Sequence, residues 1–182
     1  MGVGILAMKS RKNKKVILLN KGTDEIKLHL GCGSNYIKGY INIDQLGDQS
    51  DMSDLRRVDL NLDFTKLSFP NNSVTEIRLH HVFEHFHRYQ VTTLLLSWNN
   101  WLKNNGKLII ETPDFLESAK RYIVNYYLQK IFKKRKKYNH QLLRHLYGSK
   151  EADWGNHFEG WDSYTLGKLL KMFGFTVNNI SY

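Results

Sequence analysis

Cysteine is nearly absent: Cys32 is the only one in 182 residues. A lone thiol closes no internal disulfide, so the fold must rest on its core, and a reducing compartment, the cytoplasm, is expected. No stretch approaches the run of about 20 apolar residues that a membrane-crossing helix needs. The opening, MGVGILAMKSRKNKK, sets a brief apolar patch before its charges, the reverse of a secretory signal. Its sixth residue, Leu6, also breaks the myristoylation pattern. Internal repeats are lacking, as is any linker that would divide the chain. Acids are missing from residues 118–150, where ten Lys or Arg stand without one Asp or Glu and match the whole net charge of +10. Residues 9–15 carry five more basic side chains and leave the remainder acidic. Such blocks are either solvated faces or surfaces for an anionic partner: nucleic acid, a phosphorylated sugar or a membrane surface.

What is present centres on KLHLGCGSNYIKGYINID, residues 27–44. Ile26, Leu28 and Leu30 alternate with polar residues, the run breaks at Gly31-Cys32-Gly33, and a second apolar run ends in Asp44. A strand that delivers the chain to a sheet edge, followed by glycines, lets the backbone come close to a ligand. A carboxylate at the tip of the next strand can accept two ribose hydroxyls. Any tight turn after a strand can also use glycine, so this stretch alone leaves a plain turn and a ligand loop both open. Cys32, between the two glycines, reads as small filler rather than a nucleophile.

The rest of the chain has room for one domain; a chain of this length buries roughly 70% of its extended surface. Residues 16–19, Val-Ile-Leu-Leu, form an edge strand or a helix. Strands are expected at 26–30, 41–43, 58–60 (bringing Asp59 to a strand tip), 75–80, 107–112 and 175–182. Residues 48–57 read as a short helix, and only a turn or two fits between the first two strands. Val91, Leu94, Leu95, Trp98 and Leu102 recur at helical spacing over 90–103, with Gly106 as a left-handed cap. Further helices are expected at 122–132 and 165–172, the latter stopped by Gly174. Strands alternating with helices imply βαβ units and a mostly parallel sheet.

Four pieces, in order, then resemble class I S-adenosylmethionine (SAM)-dependent methyltransferases, in particular the small type 11-like group. They are LHLGCGSNYIKGYINID, VDLNLDFTKLSFPNNSVTEIRLHHVFEHF, LLLSWNNWLKNNGKLIIETPDF and RHLYGSKEADWGNHFEGWDSYTLGKLLKMFGF, and the likeness runs over about residues 26–175. The resemblance implies a three-layer Rossmann-like α/β fold over 26–182, behind a basic arm at 1–25 and with a basic helical segment near 118–150. It implies SAM as cofactor. Leu30, Gly31, Cys32 and Gly33 would form the loop at the amino-acid end of SAM, Asp44 would bind the ribose, Asp59 and Leu60 the adenine, and His80 would lie beside the sulfonium. Asn35 replaces the loop's usual third glycine, and the first crossover is short. The family's terminal hairpin is read here as one strand, so the last antiparallel strand is lost or residues 16–19 fill its slot.

His81-Val82-Phe83-Glu84-His85 fits the zinc-peptidase pattern H-x-x-E-H. On a helix both histidines would share a face, but that scheme needs a third ligand on a nearby helix and this segment follows directly on a buried strand, so no metal is expected. Glu84 and His85 either cap the corner after a strand or take part in catalysis. Methyl transfer is an in-line displacement on an activated carbon, so alignment supplies much of the rate. A hydroxyl acceptor also needs a base. The candidates are His81, Glu84, His85 and His157, with residues 154–161 as an aromatic lid. His140, His145, Tyr147 and Trp161 are either core or substrate-facing. The acceptor is expected to be a small or glycan-like molecule, anionic if the basic segment steers it. The alternative is a non-catalytic protein that keeps the fold and binds RNA or an anionic surface, with Tyr126, Tyr127 and Tyr138 available to stack on bases.

Overall fold

The computed structural model describes residues 4–9, 15–20, 25–45, 58–132 and 139–178. The chain groups into two compact units, Met1–His80 with Leu96–Ile110, and His81–Leu95 with Glu111–Tyr182.

The first unit begins with an antiparallel hairpin, β1 (Gly4–Lys9) and β2 (Lys15–Asn20). Then come β3 (Lys27–Leu30), β4 (Ile41–Asp44), β5 (Leu60–Asn61), β6 (Leu67–Ser68) and β7 (Val74–His80). Helix α1 (Arg88–Trp101) and strand β8 (Leu102–Glu111) each start in one unit and finish in the other. The main sheet has the order β5-β4-β3-β7-β8, with β3 parallel to both β4 and β7 and β4 parallel to β5. This is an α/β, Rossmann-like arrangement with a mostly parallel sheet. The chain moves outward from β3 through β4 to β5 and then returns to the opposite flank of β3. Sheets of this kind bind ligands at the carboxyl ends of the strands, where the order reverses.

Parallel strands covered on both faces bury every side chain. Leu28, His29 and Leu30 are buried along β3, and Ile41, Asn42 and Ile43 along β4. The polar residues of that alternation, His29 and Asn42, therefore pair with each other, Nδ1 to Oδ1 at 3.1 Å. Phe69 packs edge-on against Trp101 with centroids 5.1 Å apart and closes the hydrophobic base of this unit.

The second unit holds α2 (Phe115–Phe132), α3 (Asn139–Tyr147) and α4 (Ser163–Met172). The Asp114 carboxylate accepts the Glu117 N–H at 2.7 Å and starts α2. Asp162 and Thr165 exchange side-chain and backbone hydrogen bonds in a capping box that starts α4. The core of this unit sets Phe83 against Trp161, centroids 5.3 Å apart.

Several expectations need correcting. Residues 16–19 lie in β2, in a separate sheet of order β1-β2-β6, and take no slot in the main sheet. The left-handed residue after α1 is Asn105 (φ 63°), not Gly106. Gly106 sits within β8, where an added Cβ would lie 2.8 Å from the Lys103 carbonyl oxygen. Residues 175–178 form no strand, and 179–182 lie outside the described residues. Asp59 comes just before β5 rather than at its tip, and the residue level with Asp44 is Asn61. The expected helix at 48–57 also lies outside the described residues, as do Tyr138 and the run 133–137. Helix α3 falls within the basic helical segment expected near 118–150 and is short. Among the described residues, no helix is long and apolar enough to cross a membrane.

Candidate functional site

Two groups of side chains stand out, one in each unit. The first gathers at the carboxyl ends of β3 and β4. After Leu30 the chain turns on Gly31 (φ 66°) and Gly33 (φ 53°), backbone angles in which side chains are strained. The Gly31 N–H donates to the Ile43 carbonyl at 2.8 Å, which folds the loop over the neighbouring strand. The Gly33 N–H donates to Asp44 Oδ2 at 2.5 Å, and the Gln45 N–H to Asp44 Oδ1 at 2.7 Å. Asp44 is thus fixed in direction by its own backbone and by the glycine loop, while two carboxylate oxygens retain further acceptor capacity. The described connection between β3 and β4 holds turns and a bend and no helix.

Asp59 is committed differently. Its carboxylate accepts from Asn42 N–H at 2.8 Å, from Asn42 Nδ2 at 3.1 Å and from the Tyr36 hydroxyl at 3.1 Å. Asn42, which sequence reasoning passed over, organises this corner. Its amide also receives the Ile37 N–H and donates to the Ile37 and Tyr40 carbonyls. Those bonds fix which end of the amide is oxygen, so His29 Nδ1 carries the proton. Cys32 is buried, and burial first, then Asp44 and Asp59, push its thiol up to about 11. Both carboxylates therefore act on one side chain, and the thiol stays protonated, in keeping with a filler role. Leu60 follows Asp59 in β5, and His80 ends β7, one residue beyond the Leu30–Leu79 pair.

The second group lies within the second unit. H-x-x-E-H is not on an α-helix here: Phe83–His85 is a single 3-10 turn, and His81 before it takes φ 52°. Glu84 is 2% exposed. Its Oε2 accepts from the Thr112 hydroxyl at 3.1 Å. Its Oε1 stands 3.4 Å from His81 Nδ1 and 3.9 Å from His157 Nε2, aligned for a hydrogen bond with neither. The Glu84 carbonyl accepts the Phe158 N–H at 2.9 Å, which draws the distant segment with His157 alongside the turn. His85 Nδ1 donates to the Asn156 carbonyl at 2.9 Å, and His157 Nδ1 to the His145 carbonyl at 3.0 Å. Since a carbonyl only accepts, both rings carry a proton on Nδ1, and in the neutral tautomer Nε2 is the free acceptor. The two rings meet edge-to-face, centroids 4.8 Å apart.

The charges of this group are coupled. Burial works to raise the Glu84 carboxyl, but His81, the backbone, His85 and His157 together outweigh it and hold it below the usual range. The Glu84 carboxylate beside it lifts His81 above the ordinary imidazole value, while burial lowers His157. The structure thus unites all four catalytic candidates, His81, Glu84, His85 and His157. Of the aromatic segment, Trp154 is 70% exposed and Trp161 is buried at 5%. His140, His145 and Tyr147 are exposed on α3. No protein-family model matches this sequence, and a comparison with curated proteins finds no match.

Proposed function

We propose that this chain is a SAM-dependent methyltransferase acting on a small or glycan-like, anionic acceptor. The observation that carries this reading is the hydrogen bond from the Gly33 N–H to the Asp44 carboxylate at the point where strand order reverses. A glycine loop opens room for the amino-acid end of SAM beside Leu30, Gly31, Cys32 and Gly33. Asp44 offers its remaining lone pairs to the ribose hydroxyls. Asp59 and Leu60 take the adenine, and His80, at the end of β7, faces the methyl-bearing sulfur.

Held by these residues, SAM would supply an activated methyl group for transfer to the acceptor, with the sulfonium as leaving group. Within the second unit, His81 is the candidate base: it is exposed, and Glu84 beside it stabilises its charged form. Glu84, His85 and His157 hold that turn in place. Mass spectrometry of the purified chain under native conditions tests the reading; a non-covalent adenosyl adduct supports it.

A second reading draws on another observation. Tyr126 and Tyr127 are 52% and 58% exposed on α2, inside the acid-free basic segment. In that reading the fold is kept without catalysis and the segment binds RNA or an anionic surface. Its mark would be binding that weakens steeply with salt in a protein without affinity for SAM.

A further inference from the structure

The H-x-x-E-H run lacks a third ligand in sequence, and the structure brings one from a remote segment. We infer that Glu84, His85 and His157 form a binding site for a divalent first-row transition cation, with zinc the best fit. Glu84 Oε1, His85 Nε2 and His157 Nε2 are the donors, and the ligand atoms of this trio lie within 4.8 Å of one another. Two ligands each about 2.1 Å from a tetrahedral zinc ion stand about 3.4 Å apart. Glu84 Oε1 and His157 Nε2, at 3.9 Å, are near that spacing. The widest separation would close by roughly 1.4 Å, within the reach of side-chain rotation.

Two independent features point to a cation rather than to a plain polar cluster. Glu84 Oε1 is a buried carboxylate oxygen without a hydrogen-bond partner, with His81 Nδ1 3.4 Å and His157 Nε2 3.9 Å away, and a bound cation would satisfy it directly. His85 and His157 each tie Nδ1–H to a backbone carbonyl, the outer contact that orients a metal-binding imidazole and frees its Nε2. Two imidazoles and one carboxylate suit zinc and its neighbours, whereas calcium and magnesium take oxygen ligands. Three protein donors leave a fourth position open to water. The cation would pin the 3-10 turn at Phe83–His85 to the segment carrying His157. This inference does not depend on SAM binding.

Calorimetric titration of zinc chloride into the chelator-stripped full chain tests it. One equivalent should bind, and His157→Ala and Glu84→Gln should each weaken binding by at least about 100-fold, beyond the usual loss for an outer-shell contact. His140→Ala, exposed on α3, should bind as the parent does. As a readout free of any fold defect, zinc should shift the Nε2 nitrogen resonances of His85 and His157 in the labelled parent while their Nδ1 protons persist. Absence of one-to-one binding, equal affinity in His157→Ala, or unmoved Nε2 resonances would each overturn the assignment. None of these measurements involves SAM, so the two readings fail separately.

Discussion

The backbone N–H of Gly33 donates to the Asp44 carboxylate at 2.5 Å and ties the loop after β3 to the carboxyl end of β4. The bond joins two features that sequence reading could see only apart, a glycine turn and an acid eleven residues later.

Glycine substitutions should separate conformational strain from crowding. At Gly33 (φ 53°) an added Cβ meets nothing within 4 Å, so Gly33→Ala should lose only about 1–2 kcal/mol, the left-handed penalty. At Gly148 (φ 84°) the same Cβ would lie 1.9 Å from the Gly155 carbonyl oxygen and 2.9 Å from the His157 nitrogen. Gly148→Ala should therefore lower the denaturant midpoint well beyond Gly33→Ala, and it should weaken zinc binding as well. Equal midpoints for the two variants would contradict this packing.

Acid should destabilise the first unit through His29. Burial lowers this histidine from its ordinary 6.5, only partly opposed by its bond to Asn42. The unfolded chain therefore takes up the proton more readily than the folded one. Stability from the neutral ring is complete above pH 6.5 and is lost as pH falls through the lower folded value. Melting temperatures between pH 5 and pH 7 should fall more for the parent than for His29→Gln. Parallel curves would show that His29 does not titrate in this way.

The core of the second unit offers a packing test. Phe83 is fully buried against Trp161, so Phe83→Ala should cost about 3–5 kcal/mol in chemical denaturation. A loss under about 1 kcal/mol would mean that the ring is not core.

The parallel strands were legible because their apolar runs are short, dense and bounded by turns: β3, β4 and β7 stand close to where the sequence puts them. The end of α1 was misread because Asn104-Asn105-Gly106 resembles a helix stop, whereas Asn105 makes the turn and Gly106 avoids the Lys103 carbonyl. Within the basic helical segment near 118–150, the separate bounds of α3 were not legible, because no turn signal sets it apart from α2. Asp59 was legible as an acid but not as a partner of Asn42, since a buried side-chain amide bonded to His29, Ile37, Tyr40 and Asp59 leaves no mark in local pattern. His157 was visible as a candidate, but its approach to Glu84 follows from backbone bonds between remote segments.

The most direct test of the central claim is calorimetric titration of SAM into the parent and into Asp44→Ala. Charge-assisted hydrogen bonds contribute about 1.5–3 kcal/mol, so the variant should bind SAM roughly 10- to 150-fold more weakly than a parent that binds one equivalent. Asp44→Asn, which keeps an oxygen for the Gly33 N–H, shows how much of that loss comes from the loop rather than from the ribose. A parent that binds no SAM, or an Asp44→Ala variant that binds it as tightly as the parent, would contradict the account.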